Sequence, residues 1–168
     1  MNEAPPMKRS ATIFLQLVIV LIGIGALAFL LWEPHLEGRN AHATLFDIYF
    51  KDPFLAYAYT ASIAFFVALY QAFTLLGDIG RNRAFSPRSV RALRIIKSCA
   101  AVLVVMIGAA LLYIFIAVRG KDDIAGGVAM GAALIFIFNV IAAAAAVFER
   151  LLQSVVNTQG EQPAVQRS

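Results

Sequence analysis

The chain has 168 residues, of which 61% are hydrophobic and 14% charged, and its mean hydropathy is +0.78. This composition excludes a soluble globular domain, because a domain of this size needs more polar surface than the sequence supplies. The formal net charge is +4, and the single cysteine, Cys99, excludes an internal disulfide. We expect Cys99 to serve in helix packing.

Four apolar runs contain no Asp, Glu, Lys, Arg or His. They cover residues 11–32, 54–77, 98–118 and 124–148. Each has about the 20 residues that a helix needs to cross a hydrocarbon core, where the backbone must satisfy its own hydrogen bonds. The runs predict an all-α, membrane-embedded four-helix bundle over residues 11–152. A short N-terminus, 1–10, precedes this domain, and a polar tail, 153–168, follows it and is expected to be disordered.

The first run also resembles a secretory signal sequence. Lys8 and Arg9 precede it, and Ala26–Ala28 has the small residues of a cleavage site. The apolar region of a signal peptide has about 7–15 residues, whereas this run continues to Trp32. We therefore interpret the run as an uncleaved membrane anchor.

The basic residues are divided unequally between the two sides of the predicted bundle. Ten of the 14 lie in the N-terminus, the second connection and the tail, and four lie in the first and third connections. Because positively charged connections stay in the cytoplasm, both termini are predicted to be cytoplasmic in a bacterial inner membrane. The net positive charge then belongs to the cytoplasmic face, and nucleic acid is not expected as a partner.

Two helix starts combine a capping residue with a proline at the first helical position, Asp52-Pro53 and Ser86-Pro87. From Pro87 the helical pattern continues to Val118, so the third helix is expected to begin outside the bilayer. The short link Arg119–Asp123 makes the third and fourth spans antiparallel neighbours.

The first connection contains both histidines, His35 and His42. Their spacing, without another His or Cys nearby, matches no usual metal site, and no metal is expected. Residues 45–50 instead predict a short apolar and aromatic segment at the membrane interface. Four residues fit an outer aromatic belt: Trp32, Tyr49, Tyr57 and Tyr59.

A basic residue occurs at every third position just before the third run. The four are Arg88, Arg91, Arg94 and Lys97, named here the basic stripe. The spacing resembles that of a voltage-sensor helix. Against that interpretation, the following run spans the bilayer without these charges, and no apolar run offers an acidic counter-charge. We interpret the basic stripe as a cytoplasmic contact surface for anionic lipid headgroups or for a membrane-protein partner.

Small and polar residues mark the expected helix contacts. Gly127 and Gly131 form a small-xxx-small step on the fourth helix. We expect Gly127, Gly131 and Asn139 to serve in packing, within the bundle or in a homo-oligomer. Gln16, Gln71 and Asn139 are the strongest hydrogen-bonding groups within the runs.

The apolar runs lack the residues of common membrane enzymes and carriers. No run contains a histidine for haem, a Cys-x-x-Cys pair for disulfide exchange or a carboxylate for proton-coupled export. The chain also contains neither a phosphate-binding glycine loop nor an H-E-x-x-H motif. We predict no catalytic residue and no cofactor.

The segment Phe85–Arg94, which follows Leu76-Gly77 and leads into an apolar run, has the pattern F-S-x-x-[SN]-V-x-x-L-R. This segment resembles a signature of small bacterial four-span membrane proteins that are catalogued only as a domain of unknown function. The resemblance extends from the first span to Leu152 and implies location and topology, but no activity. Relatives often end in a tail of the N-D-L-T-V kind, in whose place this chain has Gly160–Val165.

These observations predict a non-enzymatic accessory or regulatory membrane protein that acts through helix packing and a basic cytoplasmic face. The alternative is a small transporter or channel subunit for an uncharged or lipophilic solute, in which an oligomer is lined by Gln16, Gln71 and Asn139. Solvent access at these three positions distinguishes the two hypotheses.

Overall fold

A computed structural model describes residues 9–36, 53–117 and 125–165. These parts of the chain form four helices: α1 (Arg9–Leu36), α2 (Pro53–Gly80), α3 (Pro87–Ala117) and α4 (Ala125–Val165). Each helix is long and apolar enough to cross a membrane. The predicted all-α fold with four membrane-spanning helices is therefore confirmed.

Several sequence predictions concern residues outside the described ranges. They are the Asp52 cap, the interfacial segment 45–50, the link Arg119–Asp123, and His42 as a metal ligand.

The helices α1 and α2 pack against each other in an antiparallel manner. At one end Thr12 is buried against Gly80, where an added Cβ would lie 2.9 Å from the Thr12 Cγ2. At the other end the Tyr59 hydroxyl donates a hydrogen bond to the Leu30 carbonyl oxygen at 2.9 Å. These two contacts, about 18 residues apart along α1, fix the register of the pair.

The turn from α2 to α3 is closed by backbone hydrogen bonds and by a helix cap. The Asp78 carbonyl accepts the Arg83 N–H at 2.8 Å, and Asn82 has a φ of 57°, a conformation that Asn tolerates. The Ser86 hydroxyl accepts the Ser89 N–H at 3.2 Å, and α3 begins at the intervening Pro87. The predicted helix start at Ser86-Pro87 is confirmed.

Polar contacts also set the register of α2 against α3. Near one end the Tyr57 hydroxyl donates to the Met106 carbonyl oxygen at 2.7 Å, and near the other Arg88 lies 3.5 Å from Asp78. The tyrosines predicted for an outer aromatic belt thus tie α2 to a neighbour on each side, because Tyr59 reaches α1. Such interhelical hydrogen bonds in a membrane contribute about 0.6–2 kcal/mol each.

The most extensive contact joins α3 and α4. Along α4 the less exposed positions recur at alternating steps of three and four residues, the spacing of an antiparallel coiled-coil seam. They are Val128, Gly131, Ile135, Phe138, Ala142, Ala145, Glu149, Leu152 and Val156, and Ala146, next to Ala145, is also half-buried. At the end of the seam near Glu149, Leu93 and Ile96 of α3 pack with Ala145 into a core that Ala72 of α2 also contacts. Three of the helices therefore meet at this end.

The glycines predicted to pack in the fourth helix have different surroundings. An added Cβ at Gly131 would lie 2.5 Å from the Leu111 Cδ2, so α3 approaches α4 closely there. An added Cβ at Gly127 would have no neighbouring atom within 4 Å, and Gly127 is exposed. Gly131 therefore lies in the α3–α4 contact, and Gly127 lies outside it.

The fourth helix continues well past the end of the apolar run at Phe148. We predicted a disordered tail from residue 153, whereas α4 extends to Val165. One feature accounts for the difference over the first turns: Leu152 and Val156 continue the inner seam and remain half-buried.

The outer surface of α1 is almost entirely apolar. Its exposed side chains include Phe14, Leu21, Phe29 and Trp32, and its main contact is with α2 alone. In water such a surface would be a strong aggregation liability, but lipid tails solvate it without cost. The exposure pattern therefore fits a chain whose solvent is the bilayer.

The different surroundings of the two glycines give a matched test of the α3–α4 contact. We expect Gly131→Ala to destabilise the protein by about 1–3 kcal/mol, because the new methyl group overlaps Leu111. Gly127→Ala should be neutral or slightly stabilising, because alanine favours a helix and meets no neighbour. Unfolding by SDS in mixed micelles, followed by circular dichroism, measures both. Equal destabilisation by the two variants would contradict this packing, and Leu111→Ala should rescue only Gly131→Ala.

Candidate functional site

The basic stripe lies on the first three turns of α3, immediately after the Ser86 cap. A step of three residues turns a helix by about 300°, so successive bases shift by about 60° around the helix. The stripe therefore does not form one straight row. Its first two members, Arg88 and Arg91, lie on the side of α2, and its last two, Arg94 and Lys97, lie on the side of α4.

The two bases on the side of α4 bind one buried carboxylate. Arg94 Nε donates to Glu149 Oε1 at 2.8 Å, and Lys97 Nζ donates to Glu149 Oε2. Each carboxylate oxygen thus has its own cationic partner, and only 8% of the Glu149 side chain is exposed. A carboxylate buried to this degree requires such pairing, because desolvation of an unpaired charge costs several kcal/mol.

Sequence reasoning missed Glu149, which lies one residue beyond the last apolar run. It belongs to the same continuous helix as that run and lies within the helical stretch that is apolar enough to cross a membrane. The sequence contained one signal for this contact. If α3 and α4 are antiparallel, the end of the fourth apolar run lies beside the start of the third, so Glu149, directly after Phe148, lies at the same depth as the bases just before Ser98. An acidic counter-charge to the basic stripe does therefore exist in this chain.

The two bases on the side of α2 are much less constrained. Arg88 lies 3.5 Å from Asp78, but 72% of its side chain is exposed. An ion pair with that exposure contributes little to stability, about 0–1 kcal/mol. Within the described parts of the chain, Arg91 forms no ion pair and is exposed. These two arginines are the members of the basic stripe that remain available to a ligand.

A groove of about 450 Å³ lies between α2 and the first turns of α3, and both available arginines line it. The opposite wall is formed by Tyr70, Gln71 and Thr74 of α2, and Pro87, Ala92 and Ile95 complete the lining. The Thr74 hydroxyl donates to the Gln71 carbonyl at 2.9 Å, as is common for a threonine in a helix. The groove combines two cations with a phenol and an amide, a set that suits an anionic oxygen ligand.

The polar residues predicted at depth lie in three separate places. Gln16 Nε2 donates to the Phe73 carbonyl at 3.2 Å and ties α1 to α2, whereas Gln71 lines the groove beside α3. Asn139 is exposed, and its Nδ2 donates to the Ile135 carbonyl of its own helix at 2.9 Å. A solute pathway lined by all three would need residues from a second chain.

No group of three potential metal ligands occurs among the described residues. Cys99 is half-buried on α3, which agrees with a packing position. The side chain of His35 lies outside the described set, as His42 does.

The Glu149 contact makes a prediction about stability. We expect Glu149→Gln to destabilise the protein by about 1–3 kcal/mol, because the variant leaves two bases without a counter-charge at the α3–α4 contact. The cost stays below that of a fully buried pair, because the side chains of Arg94 and Lys97 are partly exposed. Arg150→Gln, a change at an exposed neighbouring position, should have almost no effect. SDS titration in mixed micelles compares the two, and an unchanged midpoint for Glu149→Gln would refute the contact.

Comparisons with known proteins agree with the membrane architecture. A family model described as a protein of unknown function, DUF2975, matches residues 38–165. An uncharacterized membrane protein of Bacillus subtilis (strain 168), YoaS, is 38% identical over 156 residues, which cover 92% of this chain and 97% of YoaS. No solved structure matches the chain. The resemblance carried by Phe85–Arg94 is thereby confirmed, and the chain belongs to DUF2975, a family of unknown function that has a membrane-protein relative in a bacterium.

Proposed function

We propose that this protein is a non-enzymatic accessory or regulatory subunit of the bacterial inner membrane, with both termini in the cytoplasm. The observation that carries the proposal is the division of the basic stripe. Arg94 and Lys97 are engaged with Glu149 in holding α3 to α4, while Arg88 and Arg91 are left exposed beside an open groove. Two members of the basic stripe thus stabilise the fold, and the other two are available to contact a partner.

The orientation is supported by the charges around the turn between α2 and α3. Arg81 and Arg83 are exposed in this turn, and Arg88 and Arg91 follow on the first turns of α3. Four exposed arginines within eleven residues form a strong cytoplasmic retention signal. The same end of the helices contains the Glu149 contact, so the polar part of the bundle faces the cytoplasm.

The second part of the proposal is a lipid-facing surface that a partner helix can cover. The exposed side of α1 carries Phe14, Leu21 and Phe29, and the exposed side of α4 carries Met130 and Phe136. Partner helices in a membrane associate through such surfaces when close packing replaces lipid contacts. Together with a basic face at one end, these surfaces suit a small subunit that binds a larger membrane protein.

The orientation predicts the outcome of reporter fusions. Alkaline phosphatase, which is active only outside the cytoplasm, should be active when fused after Ala43 or Gly120 and inactive when fused after Arg83 or at the C-terminus. A green fluorescent protein fused at the same four positions should give the opposite pattern. Phosphatase activity at Arg83 would contradict the proposed orientation.

The accessory role predicts a partner that depends on Arg88 and Arg91. Crosslinking and co-purification from native membranes should capture a defined membrane protein with the wild type and lose it with Arg88→Gln/Arg91→Gln. This double variant leaves the Glu149 contact intact, and Arg81→Gln/Arg83→Gln removes the same charge from the adjacent turn as a matched control. Capture of only lipid and further copies of this chain by the wild type would refute the accessory role.

A further inference from the structure

We propose that the groove between α2 and α3 is a binding site for one anionic phospholipid, with the headgroup phosphate held by Arg88 and Arg91. The inference rests on the membrane placement and orientation proposed above, and it assigns a ligand class to the free part of the basic stripe. Two features of the groove carry it: a cationic end with hydrogen-bond donors, and an apolar track that leads away from that end into the bilayer.

The cationic end offers several donors to a phosphate. Arginine presents a planar fork of N–H groups that matches two phosphate oxygens, and two such forks line this groove. Across the groove, the lining residues Tyr70 and Gln71 carry a hydroxyl and an amide, which are neutral hydrogen-bond donors. Asp78 is the acid near this set, and its carboxylate lies 3.5 Å from Arg88 with its side chain mostly buried. Arg91 is therefore the stronger anchor, because Arg88 shares its charge with Asp78.

The register of α2 against α3 places this end at the cytoplasmic boundary of the hydrocarbon. Arg88 contacts Asp78, the residue that directly follows the second apolar run, and Arg91 shares the groove with Gln71 and Thr74 of that run. The third apolar run begins only at Ser98, so the bases of α3 lie beside residues of α2 that are apolar enough to sit in lipid. Arginines at such a boundary reach towards phosphates while their stems stay among acyl chains.

An apolar track continues from the groove towards the membrane centre. On α2, Ile63 and Val67 lie on the same helix face as Tyr70, at steps of four and three residues, and both are exposed. On α3, Val102 lies seven residues after the groove residue Ile95, on the same side of the helix, and is also exposed. The exposed apolar side chains of the two helices thus form the two sides of a track that an acyl chain can occupy. A free phosphate or an acidic peptide would not contact this apolar track.

The test measures lipid binding by the purified full-length protein. The protein in neutral detergent is titrated with phosphatidylglycerol or phosphatidylcholine, and bound lipid is counted by native mass spectrometry. We expect one tightly bound phosphatidylglycerol and at least about tenfold weaker binding of phosphatidylcholine. Arg88→Gln/Arg91→Gln should weaken phosphatidylglycerol binding roughly 30-fold, since each base near an anionic surface contributes a factor of about five. The control Arg81→Gln/Arg83→Gln has the same net charge as the Arg88→Gln/Arg91→Gln variant, and we expect it to bind phosphatidylglycerol as tightly as the wild type does.

Two further arms separate the possible ligands. Glycerophosphoglycerol, the headgroup without acyl chains, and inorganic phosphate should compete only at concentrations far above that of the lipid. Equal competition by either would show a plain anion site and overturn the proposal, as would equal weakening by the two double variants. Arg88→Lys/Arg91→Lys retains the charge but not the forks, and we expect it to bind with intermediate affinity. Unchanged helicity by circular dichroism shows that each variant is folded.

The result is independent of the search for a protein partner. If the groove binds phosphatidylglycerol and no partner is captured from native membranes, the lipid site stands and the accessory role fails. If a partner is captured through Arg88 and Arg91 while phosphatidylglycerol and phosphatidylcholine bind equally, the accessory role stands and the lipid site fails.

Discussion

The arrangement of these helices depends on the absence of a hydrophobic force between them. Lipid tails are as apolar as leucine side chains, so a membrane helix gains little by exchanging lipid for a neighbouring helix unless the two fit closely or form polar contacts. In this protein a few such contacts set the registers. The hydroxyls of Tyr57 and Tyr59 bond to carbonyls of α3 and α1, Gly131 admits Leu111, and Glu149 binds two bases of α3. Once these contacts fix the registers, the positions of the remaining side chains on the helices follow.

The registers give the basic stripe two uses. A repeat of one base in three residues turns slowly around α3, and α2 and α4 flank that helix on different sides. The half that meets α4 finds a carboxylate and becomes part of the packing, while the half that meets α2 finds a groove with an open side. The same residue type at the same spacing therefore stabilises the fold at Arg94 and stays available to a ligand at Arg91.

The sequence predicted the features that depend on local composition. Apolar runs of sufficient length gave the four helices, and a serine before a proline gave the start of α3, because both follow from the chemistry of neighbouring residues. Features that depend on the register between helices could not be predicted in this way. The role of Glu149 needs the bases of α3 to lie level with it across an antiparallel contact, and the groove needs Tyr70 to lie opposite Arg91. The extent of α4 was missed because the tail was judged by its polarity, whereas Leu152 and Val156 continue the inner seam.

The Glu149 contact has a consequence for how the chain enters the membrane. Arg94 and Glu149 are 55 residues apart in sequence, so the bases of α3 are synthesised long before the acid that neutralises them. While α3 inserts, its four bases carry their full charge, and in the proposed orientation they hold its N-terminal end on the cytoplasmic side. Only when α4 has followed does the carboxylate arrive and withdraw two of those charges from the surface. In that orientation, one set of side chains first directs insertion and afterwards holds α3 to α4.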